Sequence, residues 1–184
     1  IAETGWNESQ EIKSAAGERG TKVHNGIESL LAGNELMKSF YSLDEWHRLS
    51  AFVDWYRETN PKILTSEQMF YSTKYKYAGK CDCVAEIEGK IYMIDWKTSG
   101  SIYPHFALQV AAYAQAAKEM GLYKIDFTAC LQLGNKTKKK YSFKVYDDHI
   151  DDFKTFLAVK RLYDSDHSED YQPPVLVLPV TLKL

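Results

Sequence analysis

A chain of 184 residues with 45% apolar and 26% charged side chains has the make-up of one globular domain, able to bury about two thirds of its unfolded surface. A formal net charge of −2 excludes a protein that coats nucleic acid through bulk charge, yet leaves room for a local basic groove beside an acidic site. No apolar run reaches the ~18 residues that span a bilayer, and no secretory core segment is visible.

The chain opens on Ile1 rather than Met, which reads as a processed start or a fragment. Residues 1–20 are polar and punctuated by Gly17 and Gly20, and read as a loop or short helix. From Thr21 the apolar positions Val23, Ile27, Leu30 and Leu31 follow helical spacing, and Gly33 supplies a stop. A second helix opens with a capping box, Ser42 and Glu45. Its expected buried stripe is Trp46, Leu49, Val53 and Tyr56, ended by Thr59-Asn60-Pro61.

Three strands are expected next, at Ile63–Tyr71, Tyr75–Ile87 and Lys90–Lys97, the last two joined by the tight turn Glu88-Gly89. Pro104 is placed to start a helix with Phe106, Val110, Tyr113, Ala117 and Met120 on one side, stopping near Gly121. Strands at Phe127–Leu133 and Tyr141–Tyr146 follow, separated by Gly134-Asn135 and the run from Lys136 to Lys140, which reads as a solvated hairpin tip. A final helix from Asp148 to Tyr163 should bury Ile150, Phe153 and Leu157. The order implies an α/β (α+β) fold, a mixed central sheet flanked by helices, as one domain over 1–184 with 1–20 and 171–184 peripheral to it.

The chemistry concentrates on the central hairpin. Alternation along a strand puts Ile91, Met93, Asp95 and Lys97 on one face, with Asp95 and Lys97 about 7 Å apart along the backbone. The turn brings Asp82 back beside Asp95. Two acids and a lysine buried together cost several kcal/mol unless a cation or a substrate phosphate compensates. That pattern suggests a metal-and-lysine hydrolytic site. Cys81, Cys83 and Cys130 are too few for a disulfide framework and point to a reducing compartment, with Cys81 and Cys83 turned away from Asp82 into a core. Lys74, Lys76 and Lys80 interleave with Tyr71, Tyr75 and Tyr77, which offers phosphate contacts and stacking faces for DNA, or equally a lysine-guarded edge strand. Thr98 and Ser99 lack a His–acid partner set, and a phosphate-binding G-x-x-x-x-G-K-[ST] loop is missing. His47, His105, His149 and His167 fall in no matching motif.

Asp82, then Asp95-Trp96-Lys97, then Gln109 with Tyr113 resembles the PD-(D/E)XK nuclease superfamily, and Gly20-Thr21-Lys22-Val23-His24 is similar to the first motif of its RecB-like exonuclease branch. The resemblance implies a restriction-endonuclease-like fold and metal-dependent phosphodiester hydrolysis leaving 5′-phosphate ends. It implies Asp82, Asp95 and Lys97 as catalytic residues, and His24, Asp82, Asp95 and the Trp96 carbonyl as ligands of Mg²⁺ or Mn²⁺. Gln109 and Tyr113 are implied to bind DNA or brace the site. Glu67 would reach the metal through water or pair with a lysine, and Glu28 would orient His24 or stay a surface acid. Branch relatives with an iron–sulfur cluster hold it on four cysteines, so no cluster is expected here. The expected partner is DNA with single- or double-stranded ends, alongside a helicase or recombinase, in repair, recombination or phage DNA processing. The expected setting is the cytoplasm of a bacterium or phage-infected cell, with an organelle also open. An endonuclease of the same fold and a catalytically silent DNA-binding module are the competing readings.

Overall fold

The structure is a computed structural model that describes residues 2–134 and 140–167, with side chains from residue 14 on. Helix α1 (Ala2–Leu31), a short 3-10 turn (Lys38–Phe40) and α2 (Leu43–Thr59) precede the hairpin strands β1 (Lys62–Ser72), β2 (Tyr77–Ile87) and β3 (Lys90–Lys97). Helix α3 (His105–Glu119), β4 (Phe127–Leu133), β5 (Tyr141–Tyr146) and α4 (His149–Asp166) complete the order. The five strands form one sheet in the order β1-β2-β3-β4-β5, antiparallel except for the parallel β3–β4 pair. That single parallel contact follows from α3, which carries the chain back to begin β4 beside the start of β3. The result is the mixed, helix-flanked α+β sheet expected from the sequence.

Local chemistry sets the element ends. Ser42 caps α2 through a full capping box with Glu45, and Asn60 closes it in the left-handed conformation at φ 44°. Glu88 and Gly89 both have positive φ, 51° and 75°, so a two-residue turn of the primed type fixes the β2–β3 register with Ile87 opposite Lys90. At the end of α1, Gly33 N–H donates to Leu30 and Asn34 N–H to Ser29, the double bond of a glycine C-cap.

Two cores sandwich the sheet. On one face Val23 and Ile27 of α1 and Leu49, Phe52 and Trp55 of α2 pack on Cys83, Ile94, Trp96 and Leu131. On the other, Ala114 and Ala117 of α3 cover Phe70, Val84 and Met93, while Phe153 of α4 packs on Ala111 and Ala112. Trp96 is the keystone of the first core: its ring meets Phe52 at 5.4 Å and Trp55 at 5.5 Å, both edge-on.

Four sequence expectations are corrected. Residues from Ala2 on belong to one long helix rather than a loop or short helix, and Gly17 and Gly20 lie inside α1. A helical glycine costs up to ~1 kcal/mol relative to alanine. At Gly26 the return is close approach, since a Cβ there would meet Leu49 Cδ2 at 2.7 Å. The buried face of α2 centres on Leu49, Phe52 and Trp55, with Val53 only half-buried, because the helix turns its large rings onto Trp96. On α4, Ile150 is 65% exposed and Phe153 is the buried residue. Cys81 and Cys83 are free and buried but divide between the two cores, one on each face. Lys136 to Lys139 and the segment 171–184 lie outside the described residues; Lys140 pairs with Asp54 at 3.4 Å.

Candidate active site

Where β2 and β3 part, an open cleft of about 350 Å³ is lined by His24, Lys80, Asp82, Asp95, Trp96, Lys97, Phe106 and Gln109, with Ala16, Gly17 and Gly20 of α1 along its rim. Each wall has a local cause. The alternation of β3 sends Trp96 into the α1/α2 core, which leaves Asp95 and Lys97 together on the opposite side. Helix α1, docked through Val23 and Ile27, brings His24 over the backbone of β3. A larger groove of about 620 Å³ between α3 and α4 gathers two lysines and His149 but no acids, so volume alone does not find the chemistry.

Asp82 and Asp95 are 7% and 3% exposed. Asp82 Oδ2 accepts the Trp96 backbone N–H at 2.7 Å, and its Oδ1 lies 3.3 Å from His24 Nδ1. The other ring nitrogen of His24, Nε2, is 3.1 Å from the Trp96 carbonyl oxygen. Burial alone would lower the His24 pKa, but the hydrogen bond and charge of Asp82, helped by Asp95 and Glu67, raise it above the ordinary value. Both imidazole nitrogens therefore already face partners other than Glu28. Glu28 stays exposed, and its expected orienting role is not realised here.

Glu67 stands opposite Asp82 in the β1–β2 register, in the left-handed conformation at φ 53°, where a non-glycine residue is strained. That twist places its carboxylate in a group with His24 and Asp82 whose ligand atoms all lie within 4.8 Å of one another. Glu67 also pairs with the half-exposed Lys80, the lysine pairing that was one of its two expected roles.

Lys97 lies in a different setting. Its Nζ is 2.6 Å from Asp95 Oδ2 and donates to Gln109 Oε1 at 2.7 Å, while Gln109 Nε2 donates to the Tyr113 hydroxyl at 2.9 Å. Burial and the neighbouring Asp82 charge push the Asp95 carboxyl up to about 6, against the opposing pull of Lys97 and His24. A divalent cation fits this donor set: the Asp82 and Glu67 carboxylates converge with the His24 imidazole, Asp95 lines the same cleft, and hard oxygens predominate.

Sequence reasoning missed three contributors. Gly79 is needed because a Cβ there would run into the Tyr113 ring, and a glycine inside a strand was the available signal. Gln132, buried on β4, donates to the Ser99 carbonyl and pins the loop after β3. Phe106, read as part of the apolar side of α3, lies over Lys97 with Nζ 4.2 Å from its ring centre. The lysine–tyrosine segment behaves differently from its stacking expectation: Tyr75 and Tyr77 turn onto Phe153 and Phe156, and Lys74 lies over the Tyr75 ring. Lys76 is exposed with positive φ, and Tyr71 keeps a half-exposed ring.

A mixed sheet carrying two buried aspartates and a lysine at the parting of two strands is the frame of a nuclease. The chain belongs to the PD-(D/E)XK nuclease superfamily, whose sequence profile matches residues 3–171. It is 30% identical over 125 residues to mitochondrial genome maintenance exonuclease 1 of Homo sapiens, covering 63% of this chain and 36% of that protein. The Mus musculus counterpart is 28% identical over 117 residues, covering 59% and 33%. The match thus spans about a third of the length of these curated relatives. A solved structure from Eubacterium rectale, provisionally named an exonuclease, superposes with a TM-score of 0.52 at 13% identity, covering 85% of this chain and 69% of that one, a likeness of fold. Family and relatives together support a hydrolase acting on nucleic acid. Among the described residues, no helix is long and apolar enough to cross a membrane.

Proposed function

We propose that this chain is a DNA exonuclease dependent on Mg²⁺ or Mn²⁺, which hydrolyses phosphodiester bonds to leave 5′-phosphate ends. The observation that carries the reading is the meeting, in one cleft, of Asp82, Asp95 and Lys97 with His24 and the Trp96 carbonyl. His24, Asp82, Asp95 and the Trp96 carbonyl would hold the cation, with Glu67 beside them. When bound, it would make water a nucleophile near neutral pH and draw charge from the phosphate. Lys97 faces the reacting phosphate and offsets the negative charge that develops there. Gln109 and Tyr113 hold that ammonium in place, and the cleft is open enough to admit a strand from solvent.

The names of the curated relatives support DNA ends as the substrate and genome maintenance as the setting, which favours an organelle over the bacterial cytoplasm. Repair and recombination remain the processes that need such an activity, with a helicase or recombinase to expose the end. The test is digestion of end-labelled linear and circular DNA, single- and double-stranded, with Mg²⁺ and then Mn²⁺, by the intact protein, Asp95→Asn and Lys97→Ala. Loss of linear substrate from its ends, abolished in both variants, is the expected result. Unchanged activity in both variants overturns the site, and cutting of closed circles replaces the exonuclease reading with an endonuclease.

A further inference from the structure

The aromatic ring above Lys97 belongs to no motif that the nuclease reading uses. Phe106 lies in the first turn of α3, half-buried, and lines the cleft. Its ring centre is 4.2 Å from Lys97 Nζ, a distance at which the negative face of the ring attracts an ammonium. The plane of that ring is fixed by two neighbours: Tyr103 meets it edge-on at 5.5 Å and His105 at 4.6 Å. Tyr103 and His105 are themselves parallel within 9°, and the Phe106 N–H bonds to the Tyr103 carbonyl, so the three rings form one brace.

The need for such a brace follows from lysine itself. Its charge sits at the end of a four-carbon stem whose rotamers are costly to freeze. Asp95 and Gln109 hold Nζ from within the protein, but a lysine tethered to a carboxylate alone would rest in a closed ion pair. Phe106 contacts the ammonium without neutralising it and blocks its swing toward solvent.

We propose that Phe106 is a positioning residue for hydrolysis, acting through Lys97: its ring holds the lysine head group in the orientation that meets the phosphate. The inference rests on the reading of Lys97 as catalytic. Phe106 itself touches no reacting atom. An aromatic side chain is required at 106, and a purely aliphatic one of similar bulk does not replace it.

The experiment compares Phe106→Leu, Phe106→Tyr and Lys97→Ala in steady-state hydrolysis of an end-labelled oligonucleotide with Mn²⁺. Mn²⁺ binding is followed by calorimetry and folding by melting temperature. Phe106→Leu is expected to lower kcat about five- to thirtyfold, with KM and Mn²⁺ affinity unchanged, the span of a partly desolvated cation–ring contact. Phe106→Tyr, which keeps the ring face, is expected to stay within about twofold of the parent. An unchanged kcat in Phe106→Leu overturns the proposal, as does an equal loss in both variants, which would mark a packing role. Should Phe106→Leu melt far below the parent, Phe106→Tyr decides: a well-folded Tyr variant that loses kcat like Lys97→Ala also overturns it. Full activity in Lys97→Ala is a separate failure, that of the catalytic reading of the lysine.

Discussion

The two halves of the cleft are built on opposite plans. Around Asp82, His24 and Glu67, like charges converge, one residue sits at a strained φ, and His24 carries a raised proton affinity. Around Lys97, each polar group has a partner in series, from Asp95 through Gln109 to Tyr113, on regular strand and helix. The acidic half is unbalanced by itself and gains from a cation; the lysine half is complete before any ligand arrives. One site thus separates the group that must be captured from the group that must already be aimed.

Removing a charged member tests that contrast most strongly. Asp82→Asn and Lys97→Ala should each cut hydrolysis about 10²–10³-fold, the size of losing one stabilising group at a developing charge. Their stabilities should diverge. Asp82→Asn relieves repulsion and should leave the melting temperature unchanged or raised. Lys97→Ala leaves Asp95 buried beside an empty space and should cost about 1–3 kcal/mol in denaturant unfolding. Equal destabilisation by both would erase the distinction.

Trp96→Ala should undermine both halves at once, at about 3–5 kcal/mol, because its ring is the shared anchor beneath them. Gly79→Ala strikes the lysine half alone. The added methyl displaces Tyr113, and a cost of about 1–3 kcal/mol should accompany a fall in kcat with Mn²⁺ affinity intact.

Cation addition should stabilise the fold through the acidic half together with Asp95. Mn²⁺ at about a hundred times its dissociation constant should add about 2.7 kcal/mol to the parent and little to Asp82→Asn, read by thermal unfolding. The pH response is the smallest and most local effect. Folding raises the Asp95 carboxyl from 3.8 to about 6, so the metal-free folded state binds that proton more tightly than the unfolded chain does. Its contribution to stability is full below pH about 4 and is lost as pH rises through about 6. Mn²⁺ affinity should run the other way and rise over that range, since the cation needs the ionised carboxylate. Asp95→Asn should flatten both trends.

The lysine half was the more legible in sequence, for the same reason that it is complete. Strand alternation places Asp95 beside Lys97, the four-residue spacing places Gln109 beside Tyr113, and Glu88-Gly89 fixes the register. Beta3 begins and ends where the sequence says, at Lys90 and Lys97. The acidic half depends on contacts that no local pattern encodes. The left-handed twist of Glu67 leaves no mark in the residues beside it in sequence. Gly17 and Gly20 were read as punctuation because composition cannot tell a glycine that ends a helix from one that lies inside it. The ring of Phe106 obeys helical spacing with Val110 and Tyr113, and only the depth of the cleft shows that it meets an ammonium and not the core.

Trp96 has one further consequence, for how this site can vary by descent. Its N–H is held by Asp82 and its carbonyl faces His24, while its ring is elsewhere in the core. Those two atoms are supplied by the peptide chain and are the same in nineteen of the genetic code's twenty choices. Substitution can erode the ring's packing by degrees, but only proline deletes the donor. The most deeply placed polar contacts of the cleft are thus shielded from nearly every point mutation at their own codon, and change there must come as a shift of the strand.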